Sequence, residues 1–182
     1  MKQLAIALSV LLVSAQSWAT ETIPSGPVII TVAGNIEAIN RGPVGPDDLT
    51  LFRVFGVEFN RGYELDRDML ASLKQASITA TVPGTEAETG VFSGPLLGEL
   101  ATLVGGSEKV LAPLALDGYQ LDITPELIAA HDPILATHHN GVPLSLGEFG
   151  PAMVIFPDQT NPELEEELNA LEVWAVFYIE VR

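Results

Sequence analysis

The sequence predicts an α+β fold, and three features predict it. Apolar residues recur with a period of two in some stretches and with helical spacing in others. The dipeptides Asp117-Gly118 and Asn140-Gly141 each separate two apolar runs, the pattern of a tight β-hairpin. The pairs Thr124-Pro125 and Asn161-Pro162 are each followed by a glutamate, which is how a capped helix begins. No internal repeat and no linker composition divides the chain, so residues 20–182 read as one domain.

Residues 1–19 read as a secretory signal peptide. Lys2 gives the basic start, Leu4 to Val13 the short apolar stretch, and Ser17-Trp18-Ala19 the small residues of a cleavage site. A first strand is expected within Pro27 to Ile36, where VIITVAGNI is rich in β-branched residues. Arg41 to Asp48 carries glycine, proline and aspartate and reads as a loop. Thr50 to Phe59 reads as a second strand, with Leu51, Phe55, Val57 and Phe59 on one face.

Leu65, Met69, Leu70 and Leu73 then take helical spacing, with Asp66 and Asp68 at the end where the helix dipole favours negative charge. Ser77 to Val82 reads as a strand and Gly84 to Gly90 as a loop. Pro95 opens a helix striped by Leu96, Leu97, Leu100, Leu103 and Val104 and stopped by Gly105-Gly106. Val110 to Leu116 and Tyr119 to Ile123 flank the first hairpin turn, and a short helix follows from Thr124 toward His131. Ile134 to His139 and Val142 to Leu146 flank the second turn. Pro151 to Phe156 is strand-like, Glu163 to Leu171 helical, and Val173 to Val181 a last strand whose alternation puts Trp174, Val176 and Tyr178 on one buried face.

Composition narrows the function classes. The chain has 8 basic and 24 acidic residues and a formal charge of −16, which repels nucleic acid and anionic lipid. The surplus is a solubilising surface or an attraction for a cationic ligand. There is no cysteine, so an exported product must hold together by burial rather than by disulfides, and no lipid-accepting thiol exists. No apolar run after the signal is long enough to span a bilayer, so the expected product is soluble and periplasmic, without direct membrane insertion.

Four stretches taken together carry a family likeness: FSGPLLGELATLVGG from Phe92 to Gly106, LDGYQLDIT from Leu116 to Thr124, ILATHHNGVPLSLGEFGPAMVIFPD from Ile134 to Asp158, and VWAVFYIEV from Val173 to Val181. In order and spacing they resemble the oxidoreductase molybdopterin-binding domain family, the sulfite-oxidase type. The resemblance implies mixed β-sheets with short peripheral helices, and a molybdopterin held by a cysteine thiolate and basic anchors. Three departures bear on that chemistry. The family's cysteine would fall near Thr79, Ala80 and Thr81, and a threonine hydroxyl is a poor substitute for a soft ligand. Met153 follows Phe149-Gly150-Pro151-Ala152 where an arginine is common, and Val173 precedes Trp174 where a lysine is common. Phosphate-bearing cofactors and oxyanion substrates need such fixed positive charge.

The resemblance makes Thr81, Asp117, Tyr119, His138, His139 and Asn140 the candidates for lining a ligand pocket. Asp117 is a turn residue or a ligand contact, and Tyr119 a core ring with its hydroxyl at the edge or a ligand contact. His138 and His139 are surface or cap residues or hydrogen-bond partners for a pterin; neighbours on a strand face opposite ways, so they do not suit one metal ion. Glu163, Glu165, Glu166 and Glu167 read as the first turn and solvent face of a helix, without a calcium-loop pattern. No nucleophile triad, phosphate loop or paired-carboxylate motif is present. The favoured reading is a non-catalytic exported module, a pseudoenzyme with no expected cofactor or metal, that binds a small ligand or a periplasmic or membrane sensor protein. The alternative is a small molybdopterin-dependent oxidoreductase, and a purely structural envelope protein would show no pocket at the hairpin cluster.

Overall fold

A computed structural model describes residues 22–85 and 87–182. The expected signal peptide and its Trp18 lie outside the described residues.

β1 (Ile30–Gly34) and β2 (Gly62–Leu65) pair antiparallel. Between them lies α1, a single turn over Leu51–Val54. This overturns the strand expected over Thr50 to Phe59. Phe52 and Phe59 are buried with Tyr178 while Leu51 and Val54 face solvent, and the Arg41 guanidinium lies over the Phe52 and Phe59 rings, 5.2 and 5.5 Å from their centres. Aromatic packing from distant residues, not local alternation, sets this segment.

Leu65 ends β2 rather than opening a helix. The helix, α2 (Arg67–Ser72), starts from Asp66, whose carboxylate accepts from the Met69 N–H at 2.9 Å, the Gly26 N–H at 2.8 Å and the Ser25 N–H at 2.7 Å. These donors, Met69 foremost, hold its pKa down at about 2 and tie the incoming chain to the helix cap. β3 (Gln75–Thr81) and β4 (Thr89–Pro95) form a long antiparallel pair. β4 was not expected, and its C-terminal end occupies the place read as a helix start. α3 (Leu97–Leu103) begins only after it.

β5 (Leu111–Ala115) leads into the first hairpin, where the Ala115 N–H donates to the Tyr119 carbonyl and the Gly118 N–H to Ala115. Only Gly118 takes positive φ, at 91°, so the turn holds three residues rather than the two that Asp-Gly suggests. α4 (Pro125–His131) starts at Thr124 as expected. The run expected as one strand from Ile134 divides into β6 (Ile134–Ala136) and β7 (His138–His139), which join different sheets. Asn140 and Gly141 both take positive φ, 49° and 78°, and connect β7 to β8 (Val142–Pro143). β9 (Met153–Ile155), α5 (Pro162–Asn169) and β10 (Val176–Val181) complete the chain.

One sheet has the order β2-β1-β10-β5, with β1 and β10 parallel; a second runs β3-β4-β7-β8; β6 and β9 form a small third. The main core gathers Ile30, Leu65, Leu100, Val154, Phe156 and Ile179, and a second core under β4 centres on Phe92, Ile134 and Met153. No helix among the described residues is long and apolar enough to cross a membrane. This is the α+β arrangement of small mixed sheets and short helices that the sequence predicts.

Candidate functional site

The groove that matters lies where β10, the first hairpin and the end of α5 meet. Val173 is fully buried and bridges Val154, whereas Trp174 is 44% exposed. The expected burial of Trp174 is wrong for a local reason. Ala175 takes φ 51°, a left-handed conformation that an alanine adopts only at some cost. Its N–H donates to Phe149 at 2.9 Å and its carbonyl accepts from Leu116 at 3.0 Å, so both sides of the kink are fixed. The kink breaks the period-two alternation and turns the indole outward, where Phe149 braces it edge-on at 5.4 Å.

Two hollows flank the indole. One, of about 340 Å³, is lined by Asp117 and Tyr119 from the hairpin, Asn169 and Ala170 from the end of α5, and Glu172 and Trp174. The other, of about 200 Å³, runs from Thr81 to Thr85 and shares Asn169, Glu172 and Trp174 with the first. Three of the sequence candidates, Thr81, Asp117 and Tyr119, therefore stand around one groove. Tyr119 is 50% exposed rather than a core ring, and its hydroxyl donates to the Ala170 carbonyl at 3.4 Å. Asp117 does act as a turn residue, accepting from the Tyr119 N–H at 2.9 Å.

The other three candidates lie elsewhere. His139 stacks on Phe92 with ring centres 4.7 Å apart, and Asn140 accepts from the Val91 N–H at 2.9 Å, so both are built into the β4–β7 pairing. They also line a separate hollow with Val142, Leu144, Glu148 and Phe149. His138 Nδ1 lies 2.9 Å from the Thr137 hydroxyl, and His138 does not line the groove. Phe149 lines that separate hollow and also meets the Trp174 ring.

Glu172 is the groove's central polar group and was not read from the sequence. Burial is the main cause that lifts its carboxyl to about pKa 7; the like charges of Asp158 and Glu165 add to this, and hydrogen bonding to the Phe156 N–H and the Trp174 indole works against it. Asp158, whose carboxylate accepts from the Thr81 N–H at 3.2 Å, is itself raised, chiefly by burial. Glu165 is drawn inward by the Gln159 N–H instead of lying on the solvent face assigned to it. An acid set between Leu171 and Val173 in an apolar run was the available signal for Glu172.

No protein-family model matches the chain, and no curated protein does. Among solved structures it is similar to the sulfane dehydrogenase SoxCD from Paracoccus pantotrophus, with a TM-score of 0.55 at 15% sequence identity. The likeness is one of fold. The match covers 85% of this chain and 38% of that one, so the chain spans well under half of its neighbour's length. The α+β fold with several small sheets is sulfite-oxidase-like, in agreement with the four stretches that suggested it.

The molybdopterin that the sequence resemblance implies does not fit the residues present. Its thiolate ligand has no counterpart, because the chain has no cysteine. The described residues lining the groove include Asp117 and Glu172 and no lysine or arginine, so a phosphate would meet carboxylates. Met153 and Val173, where the resemblance would lead one to expect positive charge, are fully buried in the cores and do not line the groove.

The position of Trp174 has a direct consequence. In a Trp18→Phe chain, where Trp174 is the remaining tryptophan, the folded-state fluorescence is expected to be quenched strongly by acrylamide. Emission protected from the quencher would place the indole in the core instead.

Proposed function

We propose that this protein is an exported, non-catalytic relative of the molybdopterin fold that serves as a periplasmic binding module. The observation that carries the reading is the lining of the Trp174 groove: two exposed aromatic residues together with Asp117 and Glu172, and no lysine or arginine among the described lining residues, whereas a molybdopterin site needs a thiolate and cations. A fold is retained while the groups for its chemistry are missing. The signal-like N-terminus supports export, and a periplasmic or membrane sensor protein is the class of partner that suits an exported module of this size.

The test is the metal and pterin content of protein made in a host that synthesises the cofactor. Neither is expected to copurify, and stoichiometric molybdenum would instead establish the small oxidoreductase. Thr81→Cys supplies the missing thiol at the groove's rim, and it too is expected to stay empty. Adding Met153→Arg and Val173→Lys cannot rescue it, because each would place a charge in a sealed apolar core and unfold the chain. Tight molybdenum binding by the Thr81→Cys chain alone would show that the cofactor pocket is intact.

A further inference from the structure

We propose that the Trp174 groove binds a small organic cation, an alkylammonium or guanidinium group seated against the Trp174 and Tyr119 rings between Asp117 and Glu172. The inference rests on the binding-module reading and names the ligand class.

Four independent features of the groove point the same way. The Trp174 and Tyr119 rings are 44% and 50% exposed on its walls, and an exposed aromatic face attracts a cation through its quadrupole. Asp117 and Glu172 supply carboxylates, and the basic residues that pair with carboxylates elsewhere, Arg41 with Glu64 and Arg182 with Asp122 and Glu180, are not among its lining residues. α5 ends at Asn169 on the rim, so the negative end of its dipole lies beside the groove. The formal charge of −16 adds a long-range field that concentrates cations at the surface.

The size of the hollow selects among cations. At about 340 Å³ it falls at the lower end of small-molecule sites, enough for a ligand of the dimensions of choline or agmatine. A bare metal ion is a poorer match. It would forgo the aromatic walls, and no group of three histidine or acidic side chains is gathered to ligate one among the described residues. Glu172 also gives the binding a direction with pH. The charged groups acting on it, Asp158 and Glu165, are both acidic, so a bound cation relieves their repulsion and draws the Glu172 proton off.

The experiment titrates the full-length chain with choline, agmatine and the neutral choline isostere 3,3-dimethylbutan-1-ol by calorimetry, with Trp174 emission of the Trp18→Phe chain as a second readout. The expected result is saturable binding of choline or agmatine, at least about tenfold tighter than the neutral isostere. It should weaken about tenfold in Trp174→Ala, and also in Glu172→Gln at a pH above 7, both variants being checked for native circular dichroism. Equal affinity for the neutral isostere, or no saturable signal from either cation at concentrations up to about 10 mM, would overturn the inference. Neither outcome touches the binding-module reading, which stands or falls on molybdenum and pterin content.

Discussion

Gly94→Ala is expected to abolish or severely weaken folding. A methyl group on Gly94 would sit 2.1 Å from the Leu135 carbonyl oxygen and 2.9 Å from Ala136 Cα, where β4 crosses β6. All of these atoms are backbone, so no rotamer change can relieve the overlap, and the two strands must separate. Overpacking in a core typically costs about 1–3 kcal/mol, and a clash between main chains exceeds that range because a whole strand pairing shifts with it. Against a total stability on the order of 5–15 kcal/mol, such a loss leaves little native protein. Gly42→Ala is the matched control: nothing lies within 4 Å of its added methyl, and its midpoint in urea should be unchanged. A Gly94→Ala chain whose urea midpoint matches that of the control would show that β4 and β6 do not approach as described.

The same glycine explains why β4 escaped the sequence reading. Its inward positions are Gly90, Phe92 and Gly94, so the alternation of a strand is present but two of its three inward residues have no side chain. They are small because something else fills the space: His139 lies over Gly90, and the Leu135–Ala136 backbone lies over Gly94. A pattern read from hydrophobic residues cannot register positions kept empty for a neighbour. By contrast, Thr124, Asn161 and Asn140-Gly141 act through bonds within a few residues, and each was legible in advance. α1 and the division of β6 from β7 depend on partners distant in sequence, Tyr178 in the first case and β4 and β9 in the second, and local periodicity misplaced both.

The groove was legible to a similar degree. Thr81, Asp117 and Tyr119 came from the family likeness and line two adjoining hollows that share Asn169, Glu172 and Trp174. Trp174 and Glu172 did not, because their placement depends on the left-handed Ala175 and on the burial that the end of α5 provides. Neither cause shows in the alternation of apolar residues, although an acid between Leu171 and Val173 was a signal for Glu172. The groove's chemistry therefore rests on residues that a count of lost ligands would pass over. An inventory of what the chain lacks, the cysteine and two basic anchors, says nothing of what the groove could hold instead.

Glu172→Gln is expected to change how stability depends on pH. In the unfolded chain this carboxyl titrates near its ordinary value of 4.5, and in the folded protein it is raised to about 7, chiefly by burial. Between those values the folded state holds a proton that the unfolded state has released, so stability falls as pH rises through the window. The contribution is fully present below 4.5 and lost by the time pH passes 7. A tenfold difference in proton affinity between the two states is worth about 1.4 kcal/mol, which makes the loss across this window roughly 3 kcal/mol. Glutamine keeps the shape and hydrogen-bonding capacity while staying neutral, so the variant should come close to the wild type at about pH 4 and exceed it above pH 7. Urea midpoints of both chains from about pH 4 to about pH 8 measure this, and their difference cancels most other groups. Asp66, held at about 2, loses its contribution only as pH falls toward that value, below the measured range. A difference between the two chains that stays constant with pH would mean that Glu172 is ionised throughout and lies open to water. Saturating choline should lower the window in the wild type, because the bound cation favours the ionised carboxyl, and leave the glutamine variant's profile unmoved.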